Sequence, residues 1–328
     1  MTLSKLAELA GVSVSTVSKA FSESPDVGNK TRERIFAIAK EQGCFDKYNK
    51  NKFQKKIIAV LCPELGSDHY SSTVNCLMKY IEEAGAVMTL SVTNFDASRE
   101  LELYTYYSAY GKADGIIMIG LFGDGFGELL IPTVVMDSKQ TWKEVDKVYF
   151  SSENAMRDAL SALKELGHTK IGFAGERLTK SKQKLFEKTV RELAISIDNQ
   201  SIKVAKQRFE EAGEECVRAW LNDGALPTAI VAAYDYIAIG VIKALTNRGY
   251  RVPEDVSVIG MDDIAQSPFL EPSLSSIHYP KEEICREAVS LIIKKIDNQY
   301  YRARQTTVIP AEFIARGSIT AAPKKANP

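Results

Sequence analysis

One pattern, repeated twice from Ile57 onward, constrains the fold more than any other feature of the sequence. Short apolar runs alternate with longer segments of helical periodicity, first over 57–150 and again over 151–260. Wholly apolar runs such as IIAVLC at 57–62 are typical of strands buried on both faces of a parallel sheet. The alternation therefore predicts two doubly wound parallel sheets with flanking helices, one in each of two lobes. A cleft between such lobes, at the carboxyl ends of their strands, is where a small ligand would bind.

The same pattern predicts the individual elements. Strands are expected at 57–62, 87–92, 115–120, 132–137, 148–150, 170–175, 202–205, 228–233 and 256–260, around Ile277, and at 306–309. Helices are expected at 70–84, 98–110 (capped by Ser98), 154–166, 182–195, 211–222, 236–248 and 281–297. The tail AAPKKANP at 321–328 is expected to be disordered.

The N-terminal stretch from Leu3 to Phe21, LSKLAELAGVSVSTVSKAF, predicts two short helices around a tight turn. Apolar residues recur at helical spacing in both, Thr2 and Ser13 are expected N-caps, and Gly11 is expected to end the first helix. The second helix would bury Val17, Ala20 and Phe21. It would leave hydroxyls and a cation outside, a surface that fits the DNA major groove. On this stretch alone, two helices of an ordinary helical domain remain an equal alternative.

A third helix is expected over 32–42, capped by Asn29 or Thr31 and ended by Gly43. The next residues, FDKYNKNKFQKK at 45–56, contain five Lys and two Asn and few apolar anchors. They predict a basic segment that is either a plain linker or an arm that contacts DNA.

Charge is distributed unevenly along the chain. Residues 1–56 hold 11 Lys and Arg against 6 Asp and Glu, whereas the remainder holds 31 against 36. The first segment therefore carries a net charge of +5 and the rest of the chain a net charge of −5. A basic module joined to a mildly acidic body favours phosphate binding confined to one end.

Several functional classes find no support in the sequence. Lys5 and Glu8 interrupt any apolar signal segment, no run is long enough to span a membrane, and the five scattered cysteines indicate reduced thiols in a cytoplasmic protein. The three histidines are dispersed, and GLFGDGFG at 120–127 lacks the residues of a phosphate-cradling loop. We therefore expect no catalytic residue, no metal and no cofactor.

Seven motifs in fixed order resemble the lactose-repressor (LacI/GalR) family of bacterial transcription regulators along nearly the whole chain. They are LAELAGVSVSTVSKAF at 6–21, KTRERI at 30–35, LKELGHTKIGFAG at 163–175, PTAIVAAYDYIAIGVIKAL at 227–245, VPEDVSVIGMDD at 252–263, LEPSLSSIHYP at 270–280 and IARGSI at 314–319. The resemblance implies a cytoplasmic homodimer, typically a repressor, that binds a near-palindromic operator in double-stranded DNA. It also implies a small-molecule effector, a sugar or related metabolite, between the lobes.

The resemblance also assigns domains. Residues 1–44 would form the helix-turn-helix domain and 45–56 the basic linker. Residues 57–328 would form the effector-binding and dimerisation domain. Its lobe 1 would comprise about 57–150 plus 279–304, and its lobe 2 about 151–278 plus 305–320. The family's hinge helix, with an Asn-x-x-Ala-Arg-x-Leu pattern, is missing from the shorter linker here, where Phe53 is the one candidate for a minor-groove wedge. DNA affinity would then depend more on salt-sensitive phosphate contacts.

Family positions for DNA contact fall on eight residues. Base-reading positions are Val14, Ser15 and Lys19, and phosphate-contacting positions are Ser13, Thr16, Ser18, Asn29 and Thr31. Hydroxyls bond phosphate oxygens, a Lys donates to guanine acceptors, and Val14 could touch a thymine methyl. The alternative for Val14 is simple packing.

Family positions for the effector fall on His69, Tyr70, Lys184, Asp235 and Asp262. A helix N-cap without ligand contact is the alternative for Asp235, and a structural role is the alternative for its neighbour in the motif at 263. Lys184 occupies the position where the family commonly has an Arg that holds the ligand. Glu187–Lys188 replace the Gly-aromatic pair that usually follows this Arg in the family. A Lys cannot make the planar two-pronged contact of Arg, so either a more anionic ligand or a solvated helix face is expected there.

Two other readings share parts of this pattern. A periplasmic sugar-binding protein has the two lobes but needs a signal peptide and lacks the basic module. A regulator that has lost its small ligand, and responds to a protein partner or to none, would differ from a ligand-gated one in calorimetric or thermal-shift screens.

Overall fold

The computed structural model of the chain describes residues 1–22, 24–48, 55–120, 123, 127, 129–137, 145–298 and 303–324. The chain divides into two compact units, Met1–Lys56 and Ile57–Pro328. Half of the predicted basic linker (49–54, including Phe53) lies outside the described residues, as do most of the 120–127 loop and the last four residues of the tail.

The N-terminal unit is a small helical bundle. Its helices are α1 (Leu3–Ala10), α2 (Val14–Phe21), α3 (Asn29–Glu41) and α4 (Phe45–Tyr48). The predicted caps of the first two helices are confirmed. Thr2 Oγ1 accepts from the Lys5 N–H at 3.3 Å, and Ser13 Oγ accepts from the Thr16 N–H at 3.0 Å. Gly11 ends α1 with a φ of +63°. The bundle buries a core that includes Leu6, Val17, Phe21 and Ile35.

Two local predictions in this unit are wrong. Gly28 occupies the N-cap of α3, so neither Asn29 nor Thr31 caps that helix. Residues 45–48 form a helical turn rather than a linker, because their aromatic rings pack on the bundle: Phe45 lies 5.1 Å from Phe36, ring centre to ring centre. The Tyr48 hydroxyl donates to the Met1 carbonyl oxygen at 2.7 Å.

The larger unit contains two six-stranded sheets. Its strands are β1 (Ile57–Cys62), β2 (Val87–Val92), β3 (Gly115–Ile119), β4 (Thr133–Met136), β5 (Asp146–Ser151), β6 (Ile171–Glu176), β7 (Ile202–Ala205), β8 (Ala229–Ala232), β9 (Ser257–Asp262), β10 (Ser275–His278), β11 (Thr306–Pro310) and β12 (Glu312–Ile314). Its helices are α5 (Asp68–Glu83), α6 (Ala97–Ala109), α7 (Glu153–Glu165), α8 (Lys180–Glu192), α9 (Phe209–Asn222), α10 (Asp235–Thr246) and α11 (Lys281–Asp297). Asp96, not Ser98, caps α6.

The strand orders are β11-β5-β4-β3-β1-β2 in the first sheet and β12-β10-β9-β8-β6-β7 in the second. Neighbours pair in parallel, with register such as Ile58↔Met88 and Ile171↔Ala229, except that β12 is antiparallel to β10. The predicted fold class, a helix-turn-helix bundle followed by two doubly wound α/β lobes, is confirmed. Both sheets are buried among apolar side chains, as the apolar runs require.

Lobe 1 consists of the first sheet with α5, α6 and α11, and lobe 2 of the second sheet with α7 to α10. The chain crosses between the lobes after β5, after β10, and between β11 and β12. The expected assignment of 305–320 to lobe 2 is wrong for its first residues. Strand β11 pairs with β5 in lobe 1, with Val308 opposite Tyr149, so the last crossing lies at Ala311.

The structure bears on two further expectations. In the described part of the chain, no helix is both long enough and apolar enough to cross a membrane. Each of the five cysteines is a free thiol.

Candidate functional site

The exposed face of α2 is the first candidate site. Val14 is 43% exposed, and Ser15, Ser18 and Lys19 are also exposed, while Val17 on the other side of the helix is fully buried. Val14 therefore does not serve core packing, which was the alternative reading of this residue. The face presents a methyl-bearing side chain, hydroxyls and a cation to solvent.

Contacts within the bundle already hold some of these groups. Lys19 Nζ lies 2.8 Å from Asp26 Oδ2, and this contact lowers the pKa of the Asp26 carboxyl. Both side chains are solvent-exposed, so the pair is readily exchanged for another partner. Ser13 Oγ and Thr16 Oγ1 are 2.8 Å apart at the start of α2. Asn29 and Thr31 lie in the first turn of α3, where free N–H groups favour an anion.

A cavity of about 730 Å³ between lobe 1 and lobe 2 is the second candidate site. Each strand from β1 to β10 ends in a lining residue or is followed by one within three positions. After strands of the first sheet these are Glu64, Phe95, Gly120, Asp137 and Ser152. In the second sheet they are Glu176, Arg208, Tyr234, Asp262 and Tyr279. The carboxyl ends of both sheets thus meet at one cavity, as doubly wound topology requires.

Aromatic rings form much of the cavity wall. Phe150 and Tyr279 lie 5.0 Å apart between ring centres, and Phe209 lies 6.1 Å from Tyr234. Burial raises the pKa of Tyr234 and of Tyr279 to about 12. Their hydroxyls therefore stay neutral at physiological pH and both donate and accept hydrogen bonds.

Lys182 is a partly buried cation that lines the cavity. Its Nζ donates to Asp262 Oδ1 at 3.0 Å and to the Ala233 carbonyl oxygen at 2.9 Å. The ammonium also lies 5.6 Å from the centre of the Tyr279 ring. Burial is the largest single effect and opposes the charged form, but Asp262, Tyr279 and Asp137 together outweigh it and raise the pKa of Lys182 above its ordinary value.

A contact between the lobes involves Glu64 and Phe95 of lobe 1 and Arg208 and Phe209 of lobe 2; we call these four residues the interlobe clasp. The Arg208 guanidinium donates from Nη2 and Nη1 to both Glu64 carboxylate oxygens, at 2.7 and 2.8 Å. Its carbon lies 5.6 Å from the Phe95 ring centre and 4.6 Å from that of Phe209. The hydrogen bonds that Arg208 donates to Glu64 raise the pKa of Arg208, so the guanidinium is always charged.

Three buried polar atoms in the cavity wall have no hydrogen-bond partner among the described residues. They are Ser67 Oγ, His69 Nδ1 and Arg208 Nε. Buried polar atoms are almost always paired, so unpaired ones in a cavity wall are available to a polar ligand.

The structure brings together four of the five predicted effector residues. His69, Tyr70, Lys184 and Asp262 line the cavity. His69 Nε2 lies 3.2 Å from Asp137 Oδ2. Lys184, however, is exposed at the rim, and the interior cation is Lys182, two residues earlier.

Asp235 is not among the lining residues, and its prediction as an effector ligand is not supported. Its side chain is fully buried, and its carboxylate accepts from Ser267 Oγ and Ser276 Oγ, each at 2.6 Å, and from the Ile264 N–H at 2.9 Å. Burial raises the pKa of Asp235 to about 7. The carboxylate thus fixes the turn after β9, directly behind Asp262. The adjacent Asp263 is structural as well, with Oδ1 2.7 Å from Arg316 Nη1.

Sequence reasoning missed Lys182, Glu64 and Arg208. A signal for the first was available: Leu185 and Phe186 follow Lys182 at the spacing expected of the Gly-aromatic pair, and Phe186 is buried. The clasp had no local signal, because its charged members are 144 residues apart in the chain.

Comparisons with known proteins match both units. A family described as bacterial regulatory proteins, lacI family, matches residues 2–43, and a periplasmic binding protein-like domain matches residues 160–319. The HTH-type transcriptional repressor PurR of Haemophilus influenzae (strain PittEE) is 29% identical over 338 residues, covering 97% of this chain and 98% of that protein.

Solved structures show the same fold. The lac repressor dimer bound to operator and the anti-inducer ONPF matches with a TM-score of 0.73 at 23% identity, over 98% of this chain and 99% of that chain. The transcriptional regulator CelR in complex with cellobiose matches with a TM-score of 0.69 at 22% identity, over 97% of this chain and 99% of that one.

Proposed function

Because the chain belongs to the LacI family of bacterial regulatory proteins and is a transcriptional regulator rather than an enzyme, we propose a separate role for each of its two candidate sites. The exposed face of α2 reads an operator in double-stranded DNA, and a neutral sugar or sugar derivative in the interlobe cavity modulates that reading. The observation that carries the proposal is the pairing of charges in the cavity, together with unpaired polar atoms and aromatic rings in its wall.

The DNA half of the proposal rests on the side chains that α2 leaves in solvent. Val14, Ser15 and Lys19 would face base edges, and the hydroxyls of the α2 turn would face phosphates. Contact of Lys19 with DNA would replace its exposed contact with Asp26. Asn29 and Thr31 would add phosphate contacts at the first turn of α3.

The effector half rests on charge balance. Lys182 is paired with Asp262, Arg208 with Glu64, and His69 contacts Asp137, so a charged ligand at any of these three groups would have to compete with an existing partner. A neutral polyol can instead bond the unpaired atoms of Ser67 and His69 and pack against the rings. Cellobiose bound to the structurally similar CelR is consistent with this class.

Assembly and location complete the proposal. The protein acts as a cytoplasmic homodimer, because one recognition helix per subunit matches one half-site of a near-palindromic operator. Repression is the expected mode of action, as in the relative PurR.

Selection from a random DNA library with the purified full-length protein tests the DNA half. A near-palindromic consensus is expected. Lys19→Ala should weaken binding to it by about 5- to 150-fold, the value of one good base contact of about 1–3 kcal/mol. Lys5→Ala removes the same charge from α1, where Lys5 contacts Glu8, and is the matched control. Equal loss in both variants, or no consensus, would contradict the assignment of α2.

A thermal-shift screen of neutral sugars against sugar phosphates tests the effector half. Neutral sugars are expected to stabilise the protein. Lys182→Ala should remove that shift, whereas Lys184→Ala, on the same helix but at the rim, should keep it. A response confined to phosphorylated sugars that depends on Lys184 would overturn the neutral class. No response to any small molecule would favour a regulator without a small effector.

A further inference from the structure

Two cysteines face each other where α5 packs against α11. Cys76 of α5 donates from Sγ to the Lys281 carbonyl oxygen at 3.6 Å, and Cys285 of α11 donates from Sγ to the Thr73 carbonyl oxygen at 3.7 Å. Each thiol thus reaches the backbone of the opposite helix one turn before the other cysteine. The two thiols therefore lie next to each other in the interface between α5 and α11.

The two thiols differ in exposure and in acidity. Cys285 is fully buried, whereas Cys76 is half-buried. The neighbouring Cys285 thiol lowers the pKa of Cys76, as do the charges of Lys79 and Lys281, whereas burial and the charge of Glu282 oppose this shift. The same contact, together with burial, raises the pKa of Cys285. Because the thiolate is the reactive form, Cys76 is suited to react first and Cys285 to respond.

Other buried cysteines of the chain lack this arrangement. Cys62 and Cys216 donate to backbone carbonyl oxygens, and burial raises their pKa to about 11 and about 12. They are internal references for an unreactive structural thiol.

We propose that Cys76 and Cys285 form a peroxide-sensitive thiol pair that is converted to a disulfide joining α5 to α11. The Cys76 thiolate attacks hydrogen peroxide; an S–O bond forms, the O–O bond breaks, and hydroxide leaves and takes up a proton as water. The Cys285 sulfur then attacks the Cys76 sulfur; the S–S bond forms, the S–O bond breaks, and the hydroxyl leaves with the Cys285 proton as a second water. Two thiols and one peroxide give one disulfide and two waters.

The location of the pair gives its oxidation a consequence. Helix α11 begins at Lys281, directly after the crossing from lobe 2, and Tyr279 in that crossing lines the cavity. Helix α5 begins at Asp68, next to the lining residues His69 and Tyr70. A disulfide would fix the first turns of α11 against α5 at the edge of the cavity. The bond would lie within lobe 1, next to one of the three crossings between the lobes.

Peptide mapping of the full-length protein after treatment with hydrogen peroxide tests the proposal. A non-reduced digest is expected to contain a Cys76–Cys285 linked peptide that disappears on reduction with dithiothreitol. Cys285→Ser should instead accumulate a sulfenic acid on Cys76, trapped by dimedone. Cys216→Ser, a conservative change of a structural thiol, should behave as the wild type.

Three results would overturn the inference. One is Cys76 and Cys285 remaining reduced at peroxide doses that oxidise Cys62 or Cys216. The second is Cys76 linked to Cys76 of a second copy rather than to Cys285. The third is a Cys285→Ser protein, folded by circular dichroism, with no dimedone adduct on Cys76. None of these readouts depends on DNA or effector, so the inference stands or fails separately from the proposed function.

Discussion

Neutralising either charged member of the interlobe clasp is expected to loosen the contact between the lobes. The relevant variants are Glu64→Gln, Arg208→Gln and the double change, because glutamine keeps much of the bulk while removing the charge. In the wild type, each terminal nitrogen of the Arg208 guanidinium donates to a different carboxylate oxygen of Glu64, at 2.7 and 2.8 Å, a fork geometry specific to Arg.

The size of the effect follows from burial. A hydrogen bond between charged groups contributes about 1.5–3 kcal/mol before solvent screening. The side chains retain 33% exposure for Arg208 and 17% for Glu64, so water reduces the attraction without removing it. We expect a coupling free energy of about 1–2 kcal/mol between the two positions.

A double-mutant cycle of urea unfolding measures that coupling, and small-angle X-ray scattering measures the separation of the lobes. The radius of gyration should rise in both single variants. Arg157→Gln is the matched control, because Arg157 donates to Glu192 at 2.7 Å within lobe 2 and crosses no lobe boundary. Additive effects of the two clasp changes, or scattering curves identical to that of the wild type, would refute the reasoning.

Three further outcomes are expected from single changes. Asp235→Ala should lower the free energy of unfolding by about 2–4 kcal/mol in urea titrations, because it leaves three buried donors unpaired, including the hydroxyl of Ser276. Burial lowers the pKa of His168 below 6.5, so the unfolded chain takes up the proton first; stability should fall as pH drops through about 6.5, and His168→Gln should flatten that slope in melts at several pH values. Gly240→Ala should cost about 3 kcal/mol, seen as a lower melting temperature, because its Cβ would overlap the Glu210 carbonyl oxygen.

Much of the fold was predictable because parallel strands are wholly apolar and their lengths are bounded by turn residues. The bounds of β1, β2, β7 and α11 match the prediction residue for residue, and most of the others differ by one to three. The last two strands, β11 and β12, are the hardest to assign to a sheet from the sequence. Strand β11 has exposed positions, and nothing in its local sequence indicates which sheet it joins.

The cavity was harder to predict because it depends on helix phase and on distant partners. Lys182, Phe186 and Val190 recur at four-residue spacing, so they share the inner face of α8, while Lys184 and Lys188 are exposed. Matching a family position by linear order selected the exposed Lys184, whereas the apolar phase would have selected the partly buried Lys182. For Asp235 no local pattern sufficed, since its serine partners lie 32 and 41 residues away.

The charge pairs of the cavity have different consequences for an effector, because two of them lie within a single lobe and the third joins the two lobes. Lys182 with Asp262 lies within lobe 2 and His69 with Asp137 within lobe 1, so lobe motion leaves both intact. The ion pair between Arg208 and Glu64 joins the two lobes and breaks when the lobes separate.

A clasp of about 1–2 kcal/mol then biases the lobes toward closure by about 5- to 30-fold without any effector. An effector that favours the closed lobes adds to this bias, and one that separates the lobes must overcome it. In either case it shifts the equilibrium by no more than its differential affinity for the two arrangements. Removing the clasp should therefore change the apparent affinities for closing and opening ligands in opposite directions, a sign that contacts inside either lobe cannot produce.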